Sequence, residues 1–135
     1  MAGFTPDEGE KLIAQLIYQD GHADRDSDLQ VGLFTDASPG ETITEATISE
    51  PAGTGYARIT LTDASWSVVG DTASYAKQTF IGGAGGWSPA IYGYFIATQS
   101  SGGTPRLLHV EIDDNGPYLI NEGDKYGVTP NISVQ

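Results

Sequence analysis

The sequence predicts an all-β chain with one N-terminal α-helix: an antiparallel β-sandwich, jelly-roll-like, of seven or eight strands. Three observations carry this. Glycine (18 residues) and threonine are abundant while lysine, methionine and leucine are sparse, a balance that favours short strands and turns over helices. Apolar residues alternate with polar ones in short runs separated by Gly, Pro, Asn and Asp. Helical spacing occurs once, and no strand–helix alternation follows it, which argues against a doubly wound parallel sheet.

The helix comes first. Thr5 is a candidate N-cap, Pro6 suits the first turn, and Glu8 completes a capping-box pattern. Asp7, Glu8 and Glu10 sit where the helix dipole favours anions. Leu12, Ile13, Leu16 and Ile17 form one apolar face, and Asp20-Gly21 supplies a stop. A helix of about 14 residues with one such face must dock on something, its own sheet or a neighbouring subunit. These four residues are therefore interface candidates. Residues 1–20 read as a helical arm and 29–135 as the sandwich of one domain spanning 1–135.

Strand signals follow an acidic segment from Gly21 to Asp28. Leu29, Val31 and Leu33 alternate up to a turn at Thr35-Asp36. Residues 36–55, rich in Pro, Gly, Ser and Thr, read as a long surface loop with one short edge strand at most. Tyr56 to Leu61, Trp66 to Val69 and Ser74 to Ile81 read as strands, the second ended by Gly70-Asp71. Ile91 to Thr98 is the strongest strand, apolar on both faces, and so predicted central and doubly covered. After a turn at Ser100 to Pro105, Arg106 to Ile112 returns as its hairpin partner. Asp113-Asp114-Asn115-Gly116 has tight-turn chemistry. Lys125 to Val134 places Tyr126, Val128, Ile132 and Val134 inward, with Pro130 marking an edge or bulge.

Composition bounds the function. At 135 residues and 14.2 kDa the chain is one domain. The absence of cysteine excludes disulfides, thiolate metal sites and thiol catalysis. Eighteen acids against six bases give a formal charge of −12, which repels nucleic acid and anionic membranes. Residues 1–50 hold eleven of the acids and two of the bases, so that the charge is concentrated there. No targeting segment and no run of roughly 20 apolar residues is visible.

Candidate sites are few. Gly82 to Gly86 lacks the Lys-Ser/Thr and helix start of a phosphate loop and reads as a flexible loop tip. Asp24, Asp26 and Asp28 have the spacing of a calcium loop, but Leu29 and Thr35 stand where glycine and glutamate are needed, leaving only a looser cation site. Of the two histidines, His22 and His109, the second falls in a strand with Glu111 on the same side, and reads as a hydrogen-bonded surface or interface pair. No nucleophile elbow accompanies it. No catalytic residue, cofactor or metal is therefore assigned, and the chain is not expected to be an enzyme. Tyr92 and Tyr94 are placed on one face of the strongest strand, a row that would pack in a core or stack a sugar. With His109 they complete the interface candidates.

Read in order, Leu33-Phe34-Thr35-Asp36, Thr44-Glu45-Ala46, Gly55-Tyr56-Ala57, Trp66, Gln78-Thr79-Phe80, Ile91-Tyr92-Gly93-Tyr94-Phe95, Leu107-Leu108-His109 and Gly123-Asp124 before Val128-Thr129-Pro130 form a pattern. It resembles a family of small tailed-bacteriophage virion proteins, some similar to capsid decoration (cement) proteins, across roughly residues 5–133. The segment Leu108-His109-Val110 departs from it, since similar sequences often carry Trp and Ala there. The resemblance implies a non-enzymatic structural role with no active site, a homotrimer on the outer surface of the head in contact with the major capsid protein, made in the host cytoplasm. A tail, fibre or baseplate-associated component, with or without glycan binding, is the alternative.

Overall fold

A computed structural model describes residues 2–18, 27–99 and 104–133, with the side chains of Ala2, Ile17 and Tyr18 outside the description. The strands are β1 (Ala2–Phe4), β2 (Leu29–Phe34), β3 (Ile59–Leu61), β4 (Ser67–Val69), β5 (Thr72–Ser74), β6 (Gln78–Ile81), β7 (Trp87–Ile91), β8 (Gly93–Thr98), β9 (Leu107–Ile112), β10 (Tyr118–Ile120), β11 (Lys125–Val128) and β12 (Asn131–Ser133). The helix α1 spans Asp7–Tyr18. Every strand pairing is antiparallel. The mostly-β class with one helix is as the sequence predicts; the strand count is not.

Among the described residues the count rises to twelve because three long runs divide and because β1 and β10 are added. Ile91 to Thr98 is not one strand. Ile91 ends β7, paired to Tyr118 of β10, and Gly93 begins β8 in a different sheet. Ser74 to Ile81 divides into β5 and β6, and Lys125 to Val134 into β11 and β12. These two breaks face each other: the Tyr75 amide donates to the Pro130 carbonyl at 3.0 Å. Pro130 has no amide to offer a ladder, so the ribbon bends there. The 36–55 segment contains no strand, only an isolated bridge from Ala52 to Ser88.

The largest sheet has the order β1-β9-β8-β2-β3, with β8 at its centre and buried along its whole length. Its two faces lie in separate cores. On one side Val31, Leu33, Tyr94 and Ile96 meet Phe80, Trp87, Ile91, Ile120, Tyr126 and Val128 from the smaller ribbons β10-β7 and β11-β6. On the other, Phe34, Phe95, Ala97, Leu107 and Val110 meet Ile48 and Ile43 of the 36–55 segment and Phe4. The five-stranded sheet is thus a middle layer, and that long segment is part of a core.

The N-terminal segment belongs to this sheet. Residues 2–4 form edge strand β1 on β9, and α1 packs against β9. The Pro6 carbonyl, not Thr5, opens the helix by accepting the Glu10 amide at 3.0 Å. Glu8 forms no capping box. Its Oε1 instead accepts the amides of Glu45 and Leu107, each at 2.7 Å. One carboxylate so ties helix, loop and sheet, satisfying two amides that burial would otherwise strand. Gly9 permits the approach: a Cβ there would lie 2.5 Å from the Leu107 carbonyl oxygen. Leu12 is completely buried, and Ile13 and Leu16 are half-buried. The apolar face expected at an interface is therefore used largely within the chain.

Replacing Glu8 with alanine is expected to lower the unfolding free energy by about 2–3 kcal/mol, the loss of charge-assisted bonds to two buried amides. Urea denaturation measures this. Glu10→Ala, one turn away and exposed, should stay within about 0.5 kcal/mol of the parent.

Candidate functional site: an acidic cleft around a buried histidine

A register shift in β9 creates the site. Ile96 of β8 faces His109, yet the next residue, Ala97, faces Leu107, so Leu108 is an extra residue on the β9 side. Such a bulge reverses which face the following side chains take. Leu107 therefore joins the core under the 36–55 segment, while His109 and Glu111 point to the opposite face, beside Ile96 and Tyr94. His109 Nε2 lies 2.9 Å from Glu111 Oε1, the pair that the sequence suggests. The imidazole side chain is 9% exposed, and its Nδ1 is buried with no hydrogen-bond partner. The Tyr94 ring sits 6.3 Å away, tilted by 46°.

Around this pair lies a cleft of about 460 Å³ whose lining includes the β1 edge (Gly3, Phe4), Glu10 of α1, Glu41 of the long loop, and Asn131 and Ser133 of β12. Gly3, opposite Glu111 in the ladder, lets this pair lie against β1: a Cβ there would strike Glu111 Oε1 and the His109 ring. Chemically the cleft offers three carboxylates and one imidazole. Among the described residues no hydroxyl is hydrogen-bonded to His109.

The other sequence candidates go elsewhere. Asp24, Asp26 and His22 lie outside the described residues. Asp28 accepts the Asp63 amide at 2.8 Å, at the start of a 3₁₀ turn. Among the described residues no group of three His, Asp or Glu side chains could hold a metal ion, and no helix is long and apolar enough to cross a membrane. Tyr92 and Tyr94 do not share a face. The partner switch after Ile91 resets the alternation, so that Tyr94 enters one core and Tyr92 packs on the other. With Tyr94 2% exposed, this pair forms no aromatic shelf for a sugar. Gly82 to Gly86 is not a loose tip. A Cβ on Gly82, Gly83 or Gly86 would strike the carbonyls of Asn121, Thr54 or Ile120, so three loops meet there backbone to backbone.

Sequence reading also missed a polar cluster at the other edge of the sheet. Strand β3 pairs only with Leu29 to Val31 of β2, leaving the Leu33 amide without a strand partner on that side. The Tyr56 hydroxyl accepts it at 3.0 Å and donates to Glu50 at 2.6 Å. Arg58 grips Glu50 with two bonds of 2.9 and 3.0 Å, reaches Glu45 at 2.9 Å, and lies 4.9 Å from the centre of the Phe95 ring. Burial opposes the Arg58 charge, but Glu50 and Glu45 outweigh it and raise the pKa further. The only signal was the sequence Glu45…Glu50…Tyr56-Ala57-Arg58, whose spacing has no regular period.

Compared with protein-family models, with curated proteins and with solved structures, the chain matches none.

Four tyrosines should separate on alkaline titration. Burial, reinforced by hydrogen bonds or charge from Glu50, Glu111 and Asp113 respectively, raises Tyr56, Tyr94 and Tyr126 far above the ordinary value. Tyr75, whose hydroxyl accepts the Thr62 amide at 3.0 Å, is lowered. A raised folded-state pKa contributes stability that is intact below about pH 10 and lost as pH climbs beyond it. Phenolate absorbance is therefore expected to show Tyr75 ionising early and the three buried residues ionising only as the protein unfolds. Smooth titration of all seven tyrosines in a folded protein would contradict this.

Proposed function

We propose that the chain is a structural component of a tailed-bacteriophage virion, a capsid decoration (cement) protein that binds the outer surface of the head and stabilises the major capsid lattice. The observation that carries an assembly role is an unguarded strand edge. Strand β4 is the outer strand of the sheet β12-β5-β4, and its Val68 and Val69 are 69% and 77% exposed. Natural edges are usually blunted by charge, proline or a covering element. Ser67-Val68-Val69 has no charge and no proline, which suits a strand covered in a larger assembly.

Charge supports the exterior position. A chain of formal charge −12 is repelled by packaged DNA, so the outside of the shell is the favourable side. The resemblance adds the family and the expectation of a homotrimer. Two residues of its motifs, Glu45 and Tyr56, lie in the cluster that fixes the 36–58 segment to the sheet. The protein is made in the host cytoplasm and resides in the virion.

Purified protein is expected to bind expanded capsids that lack it, at hundreds of copies per particle, and to run as a trimer in solution. Val68→Lys combined with Val69→Lys should lower capsid occupancy by about tenfold while leaving the fold intact, as like charges are introduced at a buried edge. Failure to bind, a copy number of a few dozen or fewer, or a strict monomer would overturn the proposal.

A further inference from the structure

The opposite end of the molecule has its own open edge. β1 is the terminal strand of the five-stranded sheet, paired among the described residues only with β9, and it borders the acidic cleft. Of the cleft's lining residues, Glu10 and Glu41 are exposed and Glu111 is half-buried. None of the chain's described basic side chains lines the cleft: Arg58 is held by Glu45 and Glu50, Arg106 donates to Gln15, and Lys11, Lys77 and Lys125 are exposed elsewhere. Three carboxylates thus line one cleft with no lysine or arginine of the described residues among them.

A further feature points to an occupant. His109 is nine-tenths buried at the wall of the cleft, and its Nδ1 lacks any partner among the described residues, a costly state for a buried polar atom. Gly3, at the middle of β1, lets the Glu111 carboxylate and the imidazole lie directly against the edge strand, since a Cβ there would strike both.

We propose that this cleft is a docking site for an extended basic segment of a partner chain, which adds as a strand along β1 and places a lysine or arginine side chain among Glu10, Glu41 and Glu111. Main-chain bonds to the free edge supply affinity, and the carboxylates select the side chain. The inference does not depend on the chain's being a virion component. It rests on the open edge, the unbalanced charge and the unpartnered imidazole.

The probe is an acetylated, amidated hexapeptide of alternating valine and lysine, titrated into the full chain by calorimetry and followed by amide resonances. Binding should exceed that of the valine–glutamate counterpart by about tenfold or more and weaken about fivefold when salt is raised from about 50 to about 300 mM. Glu10→Gln with Glu41→Gln should reduce affinity by about tenfold, whereas Asp63→Asn, beyond the opposite edge strand β3, with Glu122→Gln, an equal loss of charge outside the cleft lining, should leave it unchanged. N-methylation of alternate peptide amides should abolish binding, as strand addition requires. Equal weakening by both charge pairs, or undiminished binding of the methylated peptide, would reveal mere attraction to a polyanion and overturn the proposal. Concentration-dependent self-association that Glu41→Gln abolishes, with no peptide binding, would overturn it in favour of a second copy of this chain.

Discussion

Strand β8 is buried on both faces, and the rest of the architecture follows from that constraint. A sheet whose central strand reads Gly-Tyr-Phe-Ile-Ala-Thr must be covered twice. One cover is built from the bent ribbons that carry Phe80, Trp87, Ile120, Tyr126 and Val128. The other is assembled from pieces with little regular structure: Ile43 and Ile48 of the long loop, Phe4 before the helix, and α1 alongside. Apolar surface alone would bring these pieces to the sheet, but it is non-directional. Glu8 supplies the direction, since its carboxylate reaches an amide of the loop and an amide of β9 at once.

Carboxylates play this role throughout the molecule. Asp28 holds the Asp63 amide, Asp36 the Ser49 amide, and Asp124 the Asn121 amide; Asp113 takes the Asn115 amide and the Tyr126 hydroxyl. Short strands leave many backbone donors outside any ladder, and an ionised carboxylate is a strong acceptor for them. The acidity that repels nucleic acid is therefore partly a means of closing loops. Glu10 and Glu41 instead line the cleft at the β1 edge.

Periodicity made the helix, the central strand and its hairpin partner legible, because each is a long run with one dominant spacing. It failed where spacing is interrupted. Tyr92 and Tyr94 are two apart and belong on one face of any continuous strand, but the chain changes sheets between Ile91 and Gly93. β1 and β10 are three residues each, too short to show a period. The His109–Glu111 pair was visible as an i, i+2 spacing. Its orientation depends on the extra residue Leu108, and its cleft on β1, Glu10, Glu41 and β12, residues up to about 130 positions apart in the chain that only the tertiary fold brings together. The glycines of residues 82–86 signalled a loop correctly, but glycine serves close packing as readily as freedom, and composition alone does not distinguish the two.

The N-terminal segment is an integral wall of the second core. Hydrogen exchange at the Leu107 amide tests this most directly, because that amide donates to Glu8. Leu107 is expected to exchange only through global unfolding, with the same dependence on denaturant as the central β8 amides. Exchange of Leu107 through a low-energy opening, with β8 still protected, would mean that the helix is a detachable arm and would contradict it.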